Sequence, residues 1–480
     1  MPDPIPWLIL LPLTLASLSF LLGPGRGGLL AIASLVIQLA LTAWLATQIV
    51  TDGSRIYAVG GWDAPLGIDL YVDGLTSIML LLTQVVALPL IIYSRAYFAS
   101  HADGGNYFWP LTGYLLAAMN ALFMSADLFN IYVTMELLGL AAVGLVASAE
   151  GAEPVAAAMR YLLVTLLGSG AYLLGVALLY GSYGSVSLTV LAPLIVAEAP
   201  AAVLFAAGLI LLGLLLKTAL FPFHFWLPPA HGGAPAPVSA LLSALVIKAS
   251  FYLILRLWLD LFAPLVITLA AQLLGLLGAA AILWGSFMAL RQRRLKMLIA
   301  YSTVAQIGYL FLLFPLITYT HPEATESALQ GGIMQIVTHA LAKAAMFAAA
   351  GTMILSVGRD DIALLDGTSS RLPLTLFTFA LAGVTLMGLP PSGGFIAKWL
   401  LISSALSSGQ WVWMVVVILG GLLSAAYVFK VLRRAFLPAQ EEIEFKPVPQ
   451  MQEWPVFLLA LISLLLGFRS DEVLSLLGAG

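Results

Sequence analysis

Hydrophobic residues in this chain occur in long runs that are separated by short stretches rich in polar residues, Gly and Pro. Apolar runs of roughly 20 residues recur along the whole length, and each can cross a hydrocarbon core of about 30 Å as an α-helix. The pattern predicts an all-α polytopic membrane protein. We expect about fourteen transmembrane helices, near residues 4–23, 28–50, 74–94, 107–124, 127–149, 156–180, 202–222, 235–256, 263–288, 295–318, 329–356, 373–408, 411–436 and 452–468.

Composition supports this class and excludes several others. Of the 480 residues, 61% are hydrophobic and 9% are charged, and the mean hydropathy is +1.04. The absence of cysteine excludes thiolate-held iron–sulfur clusters and covalent haem attachment. The glycine-rich string GPGRGG at 23–28 resembles a dinucleotide loop, but it links two predicted spans. We therefore expect no cofactor, no nucleic-acid partner, and a transporter subunit rather than an enzyme.

The distribution of basic residues predicts the orientation in the membrane. The odd-numbered loops hold 13 Lys and Arg residues, whereas the even-numbered loops and the C-terminus hold 3. Cytoplasmic loops carry the excess of basic residues. The bias places the odd loops in the cytoplasm. It predicts that both termini lie on the external side of the cell inner (plasma) membrane.

Four of the 20 basic residues remain after this count, and all four are lysines inside predicted spans: Lys217, Lys248, Lys343 and Lys398. Glu136 is the only acidic residue near the middle of a span, and His339 is also mid-span. A charge at mid-bilayer costs about 2.5–3.5 kcal/mol on insertion scales. Burial disfavours the charged form of lysine, which makes it able to exchange protons, whereas arginine stays charged. We interpret these six residues as a proton pathway.

Two pairs within this set have a more specific interpretation. A carboxylate beside a lysine holds the lysine proton, so Glu136 and Lys217 could form a proton switch. His339 and Lys343 are four residues apart and share one helix face, which suits a proton relay. The structural alternatives are a hydrogen bond from Glu136 to a neighbouring helix and a packed His339. Lys217 and Lys398 lie close to helix breaks, so snorkelling to the interface is the alternative for them.

Prolines interrupt two of the predicted helices. Pro222, Pro228 and Pro229 fall at the end of the seventh span, and Pro390 and Pro391 fall within the twelfth. Both interruptions contain Leu-Pro-Pro near an intramembrane lysine. Paired interruptions in two halves of a chain indicate an ion pathway in an inverted-repeat transporter, although prolines also kink membrane helices without any such role.

The breaks lie five spans apart and therefore suggest two repeats. We predict N-terminal helices 1–3 at residues 1–106, a first five-helix repeat (helices 4–8) at 107–256, a second, inverted repeat (helices 9–13) at 257–436, and a connector with helix 14 at 437–480.

Several strings resemble those of a known superfamily: DLFNIYVTMELLGLAAVGLVA, LLKTALFPFHFWLPPAHGGAPAPVSALLSALVIK, LIAYSTVAQIGYL, THALAKAAMF and LPPSGGFIAKWLL. They resemble the antiporter-like subunits shared by respiratory complex I, membrane-bound hydrogenases and Mrp-type multisubunit cation/proton antiporters. The resemblance covers roughly residues 65–435. It implies a fourteen-helix core with two inverted five-helix repeats. It also implies a mid-membrane axis that passes protons along Glu136, Lys217, Lys248, Lys343 with His339, and Lys398.

Within the superfamily, GGWDAPLGIDLYVDGLTSIMLLL resembles the Mrp D-type subunit and its hydrogenase relatives. This implies a subunit of a Na⁺/H⁺ antiporter complex, with other membrane subunits as partners. Two positions vary within the family: Lys398 stands where several complex I members carry glutamate, and Gln306 stands where many members have histidine. The alternatives are a proton-pumping subunit of complex I or of a hydrogenase, and a scaffold whose lysines are inert.

Overall fold

Helices account for most of the residues that the structure describes. The computed structural model describes residues 3–100, 105–318, 322–438 and 445–479. In the first half the helices are α1 (Pro4–Leu22), α2 (Pro24–Asp52), α3 (Gly74–Ser100), α4 (Gly105–Met124), α5 (Leu128–Ala147), α6 (Ala152–Tyr183), α7 (Leu188–Leu191), α8 (Ala201–Thr218), α9 (Leu227–Gly233), α10 (Ala236–Leu241) and α11 (Ile247–Arg256). In the second half they are α12 (Thr268–Arg291), α13 (Leu295–Phe311), α14 (Leu313–Thr318), α15 (Pro322–Val357), α16 (Thr368–Arg371), α17 (Pro373–Met387), α18 (Gly393–Ser407), α19 (Trp411–Ala435), α20 (Gln450–Leu465) and α21 (Ser470–Leu477).

Short elements connect some of these helices. Two π-helical turns, Leu242–Val246 and Leu257–Leu261, join α10 to α11 and extend α11, so that one helical span runs over Ala236–Leu261. Strands β1 (Arg55–Ala58) and β2 (Asp69–Val72) form an antiparallel hairpin within the predicted loop 51–73. The 3₁₀ turns are Val59–Gly61, Phe223–Trp226, Ala263–Leu265 and Ile362–Leu364.

The polytopic all-α prediction is confirmed. Within the described ranges, 11 helices are long and apolar enough to cross a membrane. Helices also occupy the three remaining predicted positions: α4 at the fourth, the α17–α18 pair at the twelfth, and α20 at the fourteenth. The α20–α21 pair is bent by 76°. The count of fourteen and the repeats remain predictions.

Two predicted unit boundaries fall inside helices. The boundary after residue 106 lies in the first turn of α4, and the boundary after residue 256 lies in the helix that continues to Leu261. The continuation is the π-helical turn LWLDL, so the charged Arg256 lies inside the helix and does not end it. The division into units remains a prediction.

Both predicted interruptions are present, but the prolines do not all act in the way we expected. The first break runs from Ala219, which has a φ of 55°, through Pro222 to the 3₁₀ turn that ends at Trp226. Pro228 and Pro229, which we predicted to break the helix, lie instead in the first turn of α9. Proline suits that position because its fixed φ is helical and its missing N–H has no partner to lose there.

The second break separates α17 from α18. Pro390 and Pro391 lie in it, and Gly388 with a φ of 79° ends α17. The span Ala236–Leu261, which is buried throughout residues 236–255, and most of α13 and α15 form the interior, and these helices carry Lys248, Lys343 and His339.

Candidate functional site

The Glu136 and Lys217 side chains form an ion pair between α5 and α8. The Lys217 Nζ lies 3.3 Å from Glu136 Oε1. The Lys217 side chain is 7% exposed and the Glu136 side chain is 20% exposed. The Ser169 hydroxyl on α6 also donates to Glu136 Oε1. The expected contact between the two charges is therefore present, and a third helix helps to orient the carboxylate.

Local sequence explains how these helices meet. The Asp127 side chain accepts from the Asn130 N–H at 2.7 Å and starts α5, two helical turns before Glu136. Gly168 on α6 and Gly213 on α8 pack backbone to backbone, since a Cβ on Gly213 would clash with the Gly168 carbonyl oxygen. This close approach, one turn before Lys217, is possible only without side chains.

A small cavity lies between Lys217 and the helical span that carries Lys248. Its volume is about 20 Å³, which exceeds the roughly 10–15 Å³ that one water requires. Lys217, Thr165 and Tyr161 line one side, and Val246 and Ser250 of the Lys248 helix line the other. A water-sized space thus adjoins polar side chains of α6, α8 and α11.

Lys248 is fully inside the protein and donates to the Ser243 carbonyl within the π-helical turn. The Ser243 hydroxyl lies 2.9 Å from the Thr303 hydroxyl of α13. The π-turn thus supplies the carbonyl that holds the Lys248 ammonium, and its serine connects the lysine to α13. Such turns frequently mark functional sites.

Lys343 also contacts α13, from the other side of that helix. Its Nζ donates to the Ile299 carbonyl at 3.1 Å and to the Ser302 hydroxyl. Ser302 and Thr303 are neighbours in α13, so that helix stands between the two buried lysines. No acidic side chain among the described residues lies within 4 Å of Lys248, Lys343 or Lys398.

The His339 ring is buried one helical turn before Lys343. Neither of its ring nitrogens has a hydrogen-bond partner within the part of the chain that the structure describes. A satisfied packing histidine, which was the structural alternative, would have a partner for at least one nitrogen.

Lys398 is held by the broken ends of the twelfth span. Its Nζ donates to the carbonyls of Leu386 at 2.6 Å and Met387 at 3.0 Å, and lies 4.6 Å from the centre of the Tyr309 ring. These carbonyls end α17 and have no helical N–H to accept from. The Ser392 hydroxyl starts α18 by accepting from the Phe395 N–H, which fixes the direction of the helix that carries the lysine.

Gln306 joins this site to α15. Its side-chain amide donates to the Leu386 carbonyl at 3.2 Å, and its carbonyl accepts from Gln335 at 3.0 Å. Gln335 lies one turn before His339. Gln306 can orient its neighbours, but an amide does not titrate, so this side chain has no proton to relay.

Sequence reasoning missed several of these groups, namely Ser169, Ser243, Ser302, Thr303, Gln335 and Tyr309. Serine and threonine commonly bond their own helix in membranes, so their presence alone carries little signal. A usable signal was the cluster Ser302, Thr303 and Gln306 within one apolar span. No group of three His, Asp or Glu residues suited to a metal occurs in the described ranges.

Comparison with known proteins gives the family. The model of the "NADH:quinone oxidoreductase/Mrp antiporter, TM" family matches residues 125–424. The chain is 34% identical to the N-type subunit of the NADH-quinone oxidoreductase of Desulforudis audaxviator over 94% of this chain and 91% of that protein. It is 26% identical to the D-type subunit of the Na(+)/H(+) antiporter of Bacillus subtilis over 92% and 88% of the two chains.

Among solved structures, a chain of the Mrp complex from Dietzia sp. superposes with a TM-score of 0.90 at 25% identity, over 99% of this chain and 96% of that chain. The superfamily predicted from the motifs is thereby confirmed. This chain is an antiporter-like, multi-pass membrane subunit that belongs to the NADH:quinone oxidoreductase/Mrp antiporter family.

Proposed function

We propose that this chain is the D-type subunit of a multisubunit Na⁺/H⁺ antiporter and that it translocates protons along a mid-membrane axis. The observation that carries the proposal is the contrast among its buried lysines. Lys217 has a carboxylate partner, whereas Lys248, Lys343 and Lys398 are held by neutral carbonyls and hydroxyls. Such lysines can take up or release a proton without breaking an ion pair.

The Glu136–Lys217 pair acts as the switch. While Glu136 stays 3.3 Å away, its charge holds the proton on Lys217. Rotation of the carboxylate away from Lys217 weakens that attraction and frees the proton. The adjoining cavity, which reaches Ser250, gives the proton a one-water route toward the Lys248 helix.

The hydroxyls of α13 carry the pathway onward. Ser243, whose carbonyl accepts from Lys248, places its hydroxyl against the Thr303 hydroxyl of α13, and Ser302 contacts Lys343. A hydroxyl can accept a proton on one side while it donates on the other. His339 then accepts at one free nitrogen and donates at the other, toward Lys398 at the second helix break.

The Mrp assignment is supported by the close structural match to a chain of an Mrp complex and by the likeness to D-type antiporter subunits. It implies Na⁺ as the exchanged cation, other membrane subunits as partners, and a cell-membrane location with both termini outside. The alternative is a proton-pumping subunit of complex I or of a hydrogenase, where redox chemistry in other subunits drives the same axis.

The test of the proton axis is Lys248→Ala in the assembled complex, measured as cation-dependent ΔpH in everted membrane vesicles from an antiporter-deficient host. We expect loss of most transport because the central amine is gone. Lys446→Ala makes the same change at a connector lysine outside the axis and should transport normally. Normal transport by an assembled Lys248→Ala complex would show that the lysines are inert.

The Mrp assignment has a separate test. Affinity purification through a tag on this chain should recover small membrane subunits only. Recovery of quinone-binding and iron–sulfur subunits would replace the Mrp assignment with complex I or hydrogenase membership and would leave the proton axis untouched.

A further inference from the structure

A basic cleft lies at the end of α19 on the face predicted to be cytoplasmic, away from the lysine axis. It encloses about 920 Å³ and is bounded by the α12–α13 connection, the segment that begins at Asp361, and the last turns of α19. Four of its lining residues are basic and one is acidic: Arg293, Lys430, Arg433 and Arg434 against Asp361. Positive charge therefore dominates the cleft.

Internal contacts already use some of these charges. Arg434 pairs with Asp366 at 2.8 Å, and Lys430 donates to the Leu290 carbonyl at 2.8 Å. The Asp361 carboxylate is engaged in turn, since it accepts from the Ala363 N–H at 2.9 Å. These contacts fix the walls of the cleft.

Arg293 and Arg433 are the two arginines of the cleft that have no carboxylate partner. Neither lies within 4 Å of a carboxylate in the described ranges. Two guanidinium groups without a carboxylate partner, one on the α12–α13 connection and one on α19, line the same cleft. They suit a phosphate, because the planar guanidinium donates to phosphate oxygens in pairs.

The membrane-facing wall of the cleft is apolar. Phe429, 57% exposed, and Ala426 lie on α19 one to two turns below the arginines. A soluble anion would gain nothing from this wall, whereas the acyl chains of a lipid would cover it. The same arrangement of charge above an apolar surface recurs next door, where Arg291 lies over the Phe287 ring at 5.6 Å.

We propose that this cleft binds an anionic phospholipid, with the headgroup phosphate between Arg293 and Arg433 and an acyl chain along Phe429. Basic pockets between transmembrane helices on the cytoplasmic side have the charge and depth to bind anionic lipid headgroups. The lipid would bridge α19 to the α12–α13 connection at the membrane surface.

The test is native mass spectrometry of the full-length chain in detergent with added dioleoyl phosphatidylglycerol or dioleoyl phosphatidylcholine. We expect retained phosphatidylglycerol on the wild type and none of the neutral lipid. At about 1 kcal/mol per basic residue near the surface, Arg293→Gln/Arg433→Gln should weaken retention by roughly 30-fold, with 1.4 kcal/mol per tenfold.

The matched control is Arg95→Gln/Arg160→Gln, which removes two exposed basic residues from the same predicted face outside the cleft. It should retain the lipid. Equal loss in the control, or equal retention of both lipids by the wild type, would overturn the proposal, as would full competition by inorganic phosphate. Phe429→Ala provides a second measurement that leaves every charge in place, and it should weaken retention without making phosphatidylcholine competitive.

Discussion

Replacing Glu136 with glutamine tests the switch most directly. Glutamine keeps the size and hydrogen-bonding reach of the side chain and removes its charge. At the observed 3.3 Å and an effective dielectric constant of about 20, two unit charges attract by about 5 kcal/mol. Because the Glu136 side chain is 20% exposed, solvent screens this attraction, and we take its effective strength as about 3 kcal/mol. That corresponds to roughly a hundredfold weaker hold on the Lys217 proton.

The assay is initial-rate ΔpH formation by the assembled complex in everted vesicles. We expect Glu136→Gln to lower transport at least tenfold with normal assembly, and Glu136→Asp to keep partial activity because the charge remains. Glu198→Gln, at an exposed position, serves as the control for the chemical change. Combining Glu136→Gln with Lys217→Ala should cause little further loss, since the two residues act as one unit. Losses that simply multiply would refute the switch, because independent sites have additive free energies.

Two further substitutions probe the scaffold. Gly388→Ala should lower the thermal midpoint, because a φ of 79° costs a side chain about 1–2 kcal/mol, and should also reduce transport, because the new Cβ would lie 2.5 Å from the Lys398 Cδ. Gly409→Ala carries the same backbone strain in open space, so it should lose stability but keep transport; equal transport by the two variants would contradict the steric argument. Asp73→Asn should destabilise the protein by about 1.5–3 kcal/mol, because the half-buried Arg256 loses the carboxylate that accepts its two bonds of 2.6 and 2.7 Å and keeps only the more exposed Asp260, at 3.2 Å. Burial opposes the charged Asp73, but Arg256 outweighs it and holds the pKa of that carboxyl below its ordinary 3.8, so this stabilisation is complete above pH 3.8 and is lost as the pH falls through the lowered pKa. Thermal unfolding curves of wild type and Asp73→Asn should therefore converge in acid, and a constant gap at every pH would contradict the linkage.

The sequence predicted those features that depend on composition along one helix. Apolar runs located the spans, and the count of loop charges isolated the four intramembrane lysines. The pairing of Lys217 with Glu136 followed because Glu136 was the only mid-span acid available. A single candidate partner makes a contact predictable without knowledge of the packing.

Features that depend on the meeting of several helices could not be predicted in this way. Nothing in the sequence around Lys248 indicates a π-helical turn, since the extra residue per turn is stabilised by neighbouring helices. The ligands of Lys398 are backbone carbonyls, and every residue has one. The position of the first break was also misplaced, because Pro228 and Pro229 suit the start of a helix as well as they suit an interruption.

The two broken helices place their lysines in sites of different net charge. Protonated Lys217 and ionised Glu136 are neutral together, so loss of the proton leaves a net negative charge at that end. Lys398 has only dipoles around it, so the same loss takes its site from positive to neutral. The deprotonated Lys217 site is negative and thus attracts a cation, whereas the deprotonated Lys398 site is neutral and does not. On the proposed pathway the two helix breaks are therefore not electrically equivalent: loss of a proton makes the Lys217 end negative and the Lys398 end neutral.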